Sequence, residues 1–193
     1  MSTGHAGDEV ADELTPISSR PVHRGRVVDL SVDTVRFPDG SSGELEMIRH
    51  SGAAAVLPLL DSPPHPDPTI VLVRQFRYAA GGYLFEVPAG RPDHVGEAWD
   101  VCARRELREE TGYSAGQLRY LTSILTTPGF TDERIHLFLA TDLSEGEIGH
   151  DDDEFMELAE MRLSEAVNLV REGRISDAKT LCTLLFARQF LLS

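Results

Sequence analysis

Residues Arg105–Tyr113 read R-E-L-R-E-E-T-G-Y, and this stretch constrains the rest of the chain more than any other. From about Glu97 to Thr111 the residues are good helix formers without a proline, and Gly112 stands where a helix end favours a residue tolerant of positive φ. The stretch is therefore expected to be a helix. At about 3.6 residues per turn, Glu106 and Glu110 share one edge of it and Glu109 lies one position round, so these carboxylates crowd one patch. The nearby arginines fall at Arg104, Arg105 and Arg108, which leaves Glu106 and Glu110 stacked together. A hard divalent cation such as Mg²⁺, which takes oxygen ligands and is shared with substrate phosphates, is the natural neutraliser. A solvated acidic helix face partnered by Arg105 and Arg108 is the plainer reading, and for an isolated E-x-x-x-E it would be the better one.

The whole string, with Glu97 eight residues before Arg105, shifts that balance. It resembles the Nudix box, which runs G, five residues, E, seven residues, R-E-U-x-E-E-x-G-U, where U is bulky and apolar. From Glu97 to Tyr113 the match is complete. At the front, six residues separate Gly90 from Glu97 where the box has five, so the loop carries one extra residue. The resemblance implies an α+β fold, an α/β/α sandwich with a mixed β-sheet, and metal-dependent hydrolysis of a nucleoside diphosphate linked to a second group.

Other features narrow the function from outside the box. A formal net charge of −14 opposes any grip on nucleic acid through phosphate contacts, and it leaves metals and local arginines to attract a phosphate-bearing substrate. Cys102 and Cys182, eighty residues apart, give neither a metal-ligand spacing nor a disulfide framework, and both are expected to sit reduced in helices as small core residues. No apolar run is long enough to span a membrane, and the N-terminus has no basic segment followed by a hydrophobic one, so a cytoplasmic protein is expected. There is no Cys/His cluster for tetrahedral Zn²⁺ and no nucleophile-elbow motif, which removes two other hydrolase classes.

A chain of 193 residues fits one main domain with room for a sizeable core. Residues 1–18 are polar and acidic with little periodicity and read as a mobile tail in which His5 is solvated. Residues 19–50 read as a small N-terminal β-lobe: VVDLSVDTVRF, a Pro38-Asp39-Gly40 turn and GELEMIRH form a β-hairpin. Residues 51–193 form the hydrolase domain. There the apolar runs Ala53–Leu60 and Thr69–Phe76 suit buried strands, and the proline-rich segment between them, which carries His65, suits a surface loop. Tyr83–Gly90, YLFEVPAG, is a short strand leading into the box, and LRYLTSIL and ERIHLFLATDL are two further strands joined by TTPGFTDE. HDDDEFMELAEM begins acidic and ends apolar, and SEAVNLVREG and DAKTLCTLLFARQFLL have helical spacing.

The box says little about substrate. The segment T-P-G-F-T-D-E places Pro128 sixteen residues after Gly112, which is similar to the downstream signature of the ADP-ribose pyrophosphatase branch of the family. Taken alone it is also a tight Pro-Gly turn between strands. V-R-Q-F-R at Val73–Arg77 and V-P-A-G at Val87–Gly90 extend the resemblance. By position, the resemblance implies that Glu106, Glu109, Glu110 and the backbone carbonyl of Ala89 bind Mg²⁺, with Mn²⁺ as the other suitable ion, and that Arg105 orients the glutamates. It implies Glu154 as the base on a late acidic loop, with Asp152 and Asp153 as rivals, and Glu109 as a further catalytic acid. Arg77, Glu86, Pro128 and Phe130 are the implied substrate contacts; Phe76 and Tyr78 are placed where they could face an adenine, although aromatics at strand ends more often belong to a core.

The expected reaction is cleavage of ADP-ribose to AMP and ribose 5-phosphate. The same reaction on another nucleoside diphosphate sugar is the near alternative, and a non-catalytic sensor of ADP-ribose or a nucleotide is the far one. Retention of Glu97, Glu106, Glu109 and Glu110 favours an enzyme. The resemblance also implies a homodimer paired through strands between Arg20 and His50, with one exposed edge joined across a two-fold axis.

Overall fold

The computed structural model describes residues 15–61, 65–146 and 156–191. Expectations for most of the N-terminal tail, and for Asp152, Asp153 and Glu154, lie outside the described residues. The chain divides into two compact units, Met1–His50 with Thr127–Glu133, and Ser51–Thr126 with Arg134–Ser193.

In the first unit, β1 (Ser18–Arg24), β2 (Asp29–Arg36) and β3 (Ser42–Arg49) form an antiparallel sheet in that order. The β2–β3 hairpin follows the alternation in the sequence and turns at Gly40, whose φ of +86° suits glycine. β1 was not expected as a strand, because SSRPVHR neither alternates nor excludes proline. As an edge strand it tolerates Pro21, and its register shifts between Pro21 and His23. Asp33 of β2 is buried and accepts hydrogen bonds from Ser19 (2.6 Å), Ser31 (2.9 Å) and Arg49. The Ser19 bond leads these, and together they outweigh burial and hold the Asp33 carboxyl below its ordinary range.

The end of β3 also holds the Thr127–Glu133 segment. The Ile48 N–H donates to the Phe130 carbonyl (2.7 Å), the His50 N–H donates to Asp132 Oδ1 (2.8 Å), and Arg49 pairs with Asp132 (3.2 Å).

In the second unit, β4 (Ala53–Pro58) lies parallel to β9 (Arg134–Ser144), while β7 (Ala89–Gly90) and β8 (Ser114–Leu125) flank them antiparallel, giving the mixed order β7-β4-β9-β8. A second sheet has the order β10-β5-β6, from Met156–Arg162, Thr69–Arg77 and Gly82–Glu86. Every residue of β4 is buried, and its alternation shows why. Ala53, Ala55 and Leu57 face one core with Leu72 and Leu137 and with residues of α2 (Leu163–Arg171) and α3 (Ala178–Phe190). Ala54 and Val56 face a second core with Cys102, Ala103 and Leu107 of α1 (Trp99–Thr111).

Helices therefore cover both faces of β4, as in an α/β/α sandwich, and a strand covered on both sides reads as a continuous apolar run. Each fully buried leucine here stabilises by roughly 1.5–3 kcal/mol. Leu137→Ala would open a cavity costing about 2–5 kcal/mol.

β10 is the other strand that the sequence reading left unassigned. Glu157 and Glu160 interrupt its apolar residues, yet it pairs with β5 along its whole length, from Met156 opposite Gln75 to Arg162 opposite Thr69. Among the described residues no helix is long and apolar enough to cross a membrane.

Candidate active site

α1 carries most of the site. It begins at Trp99 rather than near Glu97, because Gly96 (φ +88°) turns the chain and the Glu97 N–H closes that turn on the His94 carbonyl (3.2 Å). Gly112 ends it in the left-handed region (φ +76°), with its N–H donating to the Arg108 carbonyl (2.8 Å). Its apolar residues Cys102, Ala103 and Leu107 pack on β4, which turns Glu106 and Glu110 toward β7. The Cys102 thiol is pushed up to about 12 by burial, with the Glu106 charge adding to the effect, so it stays a neutral packing group, whereas Cys182 of α3, expected in a core, lies on the exposed side of its helix.

Arg105 gathers the acids around it. Nη1 donates to Glu106 (2.7 Å) and Glu109 (3.1 Å), Nη2 donates to Glu97 (3.3 Å) and the Arg91 carbonyl (2.8 Å), and Nε lies 3.1 Å from Asp93. Burial alone would favour neutral Arg105, but Glu97, Glu106 and Glu109 outweigh it and raise its pKa. Glu97, in turn, is held below its ordinary range by the Arg105 hydrogen bond and then by the Asp93 N–H.

Glu106 behaves in the opposite way. Its side chain is 12% exposed, and burial lifts its carboxyl above the ordinary range despite Arg105, with Glu109 and Asp93 pushing in the same direction. Glu110 is buried, and its Oε2 accepts from the Ala89 N–H (3.2 Å). A Cβ on Gly90 would stand 2.0 Å from Glu106 Oε1, so only glycine lets this carboxylate lie against the β7 backbone. Ala89, Glu106 and Glu110 are thus brought together, while Glu109 sits on the more exposed side of the Arg105 cluster.

Among the described residues no group of three His, Cys, Asp or Glu side chains forms a ready-made metal cage. The donor chemistry nonetheless fits a hard cation: buried or half-buried carboxylates lie against the Ala89–Gly90 backbone, in a cradle that a Cβ would fill. A cavity of about 530 Å³ opens beside the cluster, lined by Ser51, Arg91, Asp93, His94, Glu97 and Trp99 among others. The Trp99 ring stacks on His136 with centroids 4.2 Å apart.

Arg77 and Glu86, the implied substrate contacts, meet each other. Arg77 Nε and Nη2 donate to the two Glu86 oxygens at 2.8 and 3.0 Å, a bidentate pair, and Lys179 joins from α3. Pro128 and Phe130 lie in the turn of the Thr127–Glu133 segment, where Phe130 is half exposed. Phe76 packs edge-on against Tyr83, and Tyr78 is exposed.

Sequence reasoning missed Lys179 and Asp177. The D-A-K-T start of α3 was an available signal, since aspartate is a favoured N-cap and a lysine in the first turn runs against the helix dipole.

A helix carrying clustered glutamates, joined to a glycine-bearing strand of a mixed sheet, defines a Nudix-type site, and the model of the NUDIX domain matches residues 49–184. The chain belongs to the Nudix family. It is 41% identical over 176 residues to the "Methanol dehydrogenase activator" of Bacillus methanolicus, covering 90% of this chain and 92% of that protein. It is 40% identical over 170 residues to the "ADP-ribose pyrophosphatase" of Bacillus subtilis strain 168, covering 87% and 89%. In fold it is similar to a solved "ADP compounds hydrolase", with a TM-score of 0.76 at 22% identity over 92% of this chain and 94% of the other.

Proposed function

We propose that this protein hydrolyses the pyrophosphate of ADP-ribose to AMP and ribose 5-phosphate with Mg²⁺ as its metal. The observation that carries this reading is the placing of Glu106 and Glu110 against the Ala89–Gly90 backbone. The name of the Bacillus subtilis relative supports the choice of substrate, as does the Pro128 spacing.

Glu106, Glu109, Glu110 and the Ala89 carbonyl would hold the metal. Bound there, Mg²⁺ supplies charge neutralisation for the pyrophosphate and acidifies a water. Burial makes ionised Glu106 costly by itself, so this carboxylate calls for a cation beside it, a part that Arg105 plays and that a bound metal would share. Arg105 fixes the Glu106 and Glu109 rotamers from behind and joins them to Glu97. Arg77, held by Glu86, offers a guanidinium edge for a phosphate oxygen or ribose hydroxyl. Proton removal from the attacking water is assigned to Glu154, with Asp152 and Asp153 as neighbours able to stand in, on the sequence alone.

The Bacillus methanolicus relative, of nearly equal identity, carries a different name, so substrate choice calls for a direct test. Initial rates with Mg²⁺ on ADP-ribose, ADP-glucose, GDP-mannose, UDP-glucose, NADH and 8-oxo-dGTP decide it. Fastest turnover of ADP-ribose, with AMP and ribose 5-phosphate as products, is expected. A faster rate on another nucleotide sugar would overturn the substrate assignment. Nucleotide binding without any turnover would replace the enzyme by a sensor.

We further propose that residues 19–50 form a dimerisation lobe. Val22 of β1, Val27 and Val28 of the β1–β2 loop and Leu45 of β3 are each exposed by 40% or more, and burying such side chains against a second copy would stabilise a dimer. Sedimentation at working concentration is expected to give twice the chain mass, and a monomer would remove the proposal.

A further inference from the structure

The α3 start reaches back to the strand that leads into the box. Lys179 Nζ pairs with Glu86 and lies 3.1 Å from Asp177 Oδ1. Asp177 Oδ2 caps α3 by accepting from the Thr180 N–H (3.0 Å) and from the Thr180 hydroxyl (2.6 Å). The same Thr180 oxygen accepts from the Val87 N–H (2.9 Å). Two residues further on, the Ala89 N–H is bonded to Glu110. The first turn of α3 therefore fixes both the side chain of Glu86 and the backbone of Val87, immediately before the segment that meets the box glutamates.

The charges explain why a lysine is needed here. The Glu86 side chain is only 3% exposed, and burial opposes its ionisation. Arg77 and Lys179 together overcome that cost and keep its carboxyl below the ordinary range. Arg77 spends Nε and Nη2 on Glu86, and its Nη1 makes no hydrogen bond among the described residues. Its side chain is 43% exposed, and it feels the charge of Glu110. With Lys179 present, the Arg77, Lys179, Glu86 and Asp177 charges sum to zero. Without it, buried Glu86 has Arg77 as its one cation, and the arginine's charge is committed to the protein rather than to a ligand.

We propose that Lys179 is a positioning residue: by holding Glu86 from the α3 side it leaves the outer edge of Arg77 aimed and available for the anionic diphosphate of the substrate. This deepens the pyrophosphatase reading and rests on it. Wild-type turnover across the nucleotide-sugar panel tests that reading separately, and the Lys179 comparison is made on whichever substrate turns over fastest.

The test compares full-length K179M, K179Q and K179R with wild type for KM, kcat and melting temperature. For K179M a rise in KM of about tenfold is expected, the size of one charge-assisted hydrogen bond, with kcat changed by less than about threefold. K179R restores most of the loss. K179Q, which can still donate to Glu86 but carries no charge, shares the raised KM. A merely structural lysine would lower the melting temperature in K179M and leave KM within about twofold of wild type, and that result would overturn the proposal. So would a KM in K179R as high as that of K179M. If K179M does not fold, K179Q decides against K179R, with a raised KM in K179Q alone supporting the proposal and an equal KM in the two overturning it.

Discussion

The Glu106 carboxylate lies where a side chain on Gly90 would begin, with Oε1 2.0 Å and Oε2 2.4 Å from the position of a Cβ built there. This contact joins the two halves of the site, because Gly90 belongs to β7 and Glu106 to α1. Gly90→Ala would have to displace the tip of a side chain that Arg105 holds at 2.7 Å. The tip is flexible, so a stability loss of only about 1 kcal/mol is expected, at the low end for overpacking. The carboxylate would move on the order of 1 Å, which costs about a hundredfold in rate. Thermal melting beside initial rates checks this. Unchanged activity in the alanine variant would mean that the position of Glu106 does not matter for turnover.

Arg105 holds four carboxylates and a backbone carbonyl with one planar fork. Lysine keeps the charge and loses the fork, so it cannot align Glu97, Glu106 and Glu109 together. Arg105→Lys is expected to lower kcat by about a hundredfold while the far-ultraviolet circular dichroism stays that of the wild type. A variant within about threefold of wild-type kcat would show that charge alone suffices.

Much of the fold was legible in the sequence because the relevant patterns are local. The apolar runs of β4 and β5, the helical spacing of α2 and α3, and Gly112 at the end of α1 each carry their own signal. β1 and β10 do not. One contains Pro21 and the other is broken by Glu157 and Glu160, and both exist because a neighbouring strand offers a ladder.

The site divides in the same way. The crowding of Glu106, Glu109 and Glu110 follows from helical periodicity, whereas the contact with Gly90 depends on how α1 packs against β7. Lys179 lies 93 residues from Glu86 along the chain, and nothing local to either residue announces the other.

Glu86 should make part of the stability depend on pH. Its burial raises the carboxyl pKa, but Arg77 and Lys179 lower it by more, so the folded value sits below the ordinary 4.5. The stabilisation is therefore complete above the unfolded pKa and is lost as pH falls through the folded one. Glu86→Gln leaves Arg77 and Lys179 without their shared anion, and a cost on the order of 3–5 kcal/mol at neutral pH is expected. Denaturant melts at pH 7 and at about pH 3.5 should show the gap between wild type and variant narrowing in acid. A gap that stays constant would mean Glu86 is not the titrating partner.

The most direct test of the central claim is the rate of ADP-ribose hydrolysis by wild type and by Glu110→Gln, measured with Mg²⁺ and with the fold of each monitored. Glu110 is buried and accepts from the Ala89 N–H, and glutamine preserves its size and that hydrogen bond while removing the charge. Turnover by the wild type that falls by about a thousandfold or more in a variant with an unchanged melting curve is the result predicted for a carboxylate that serves the chemistry. Wild-type rates in the variant, or a variant that is inactive only because it unfolds, would contradict the assignment of the box glutamates to catalysis.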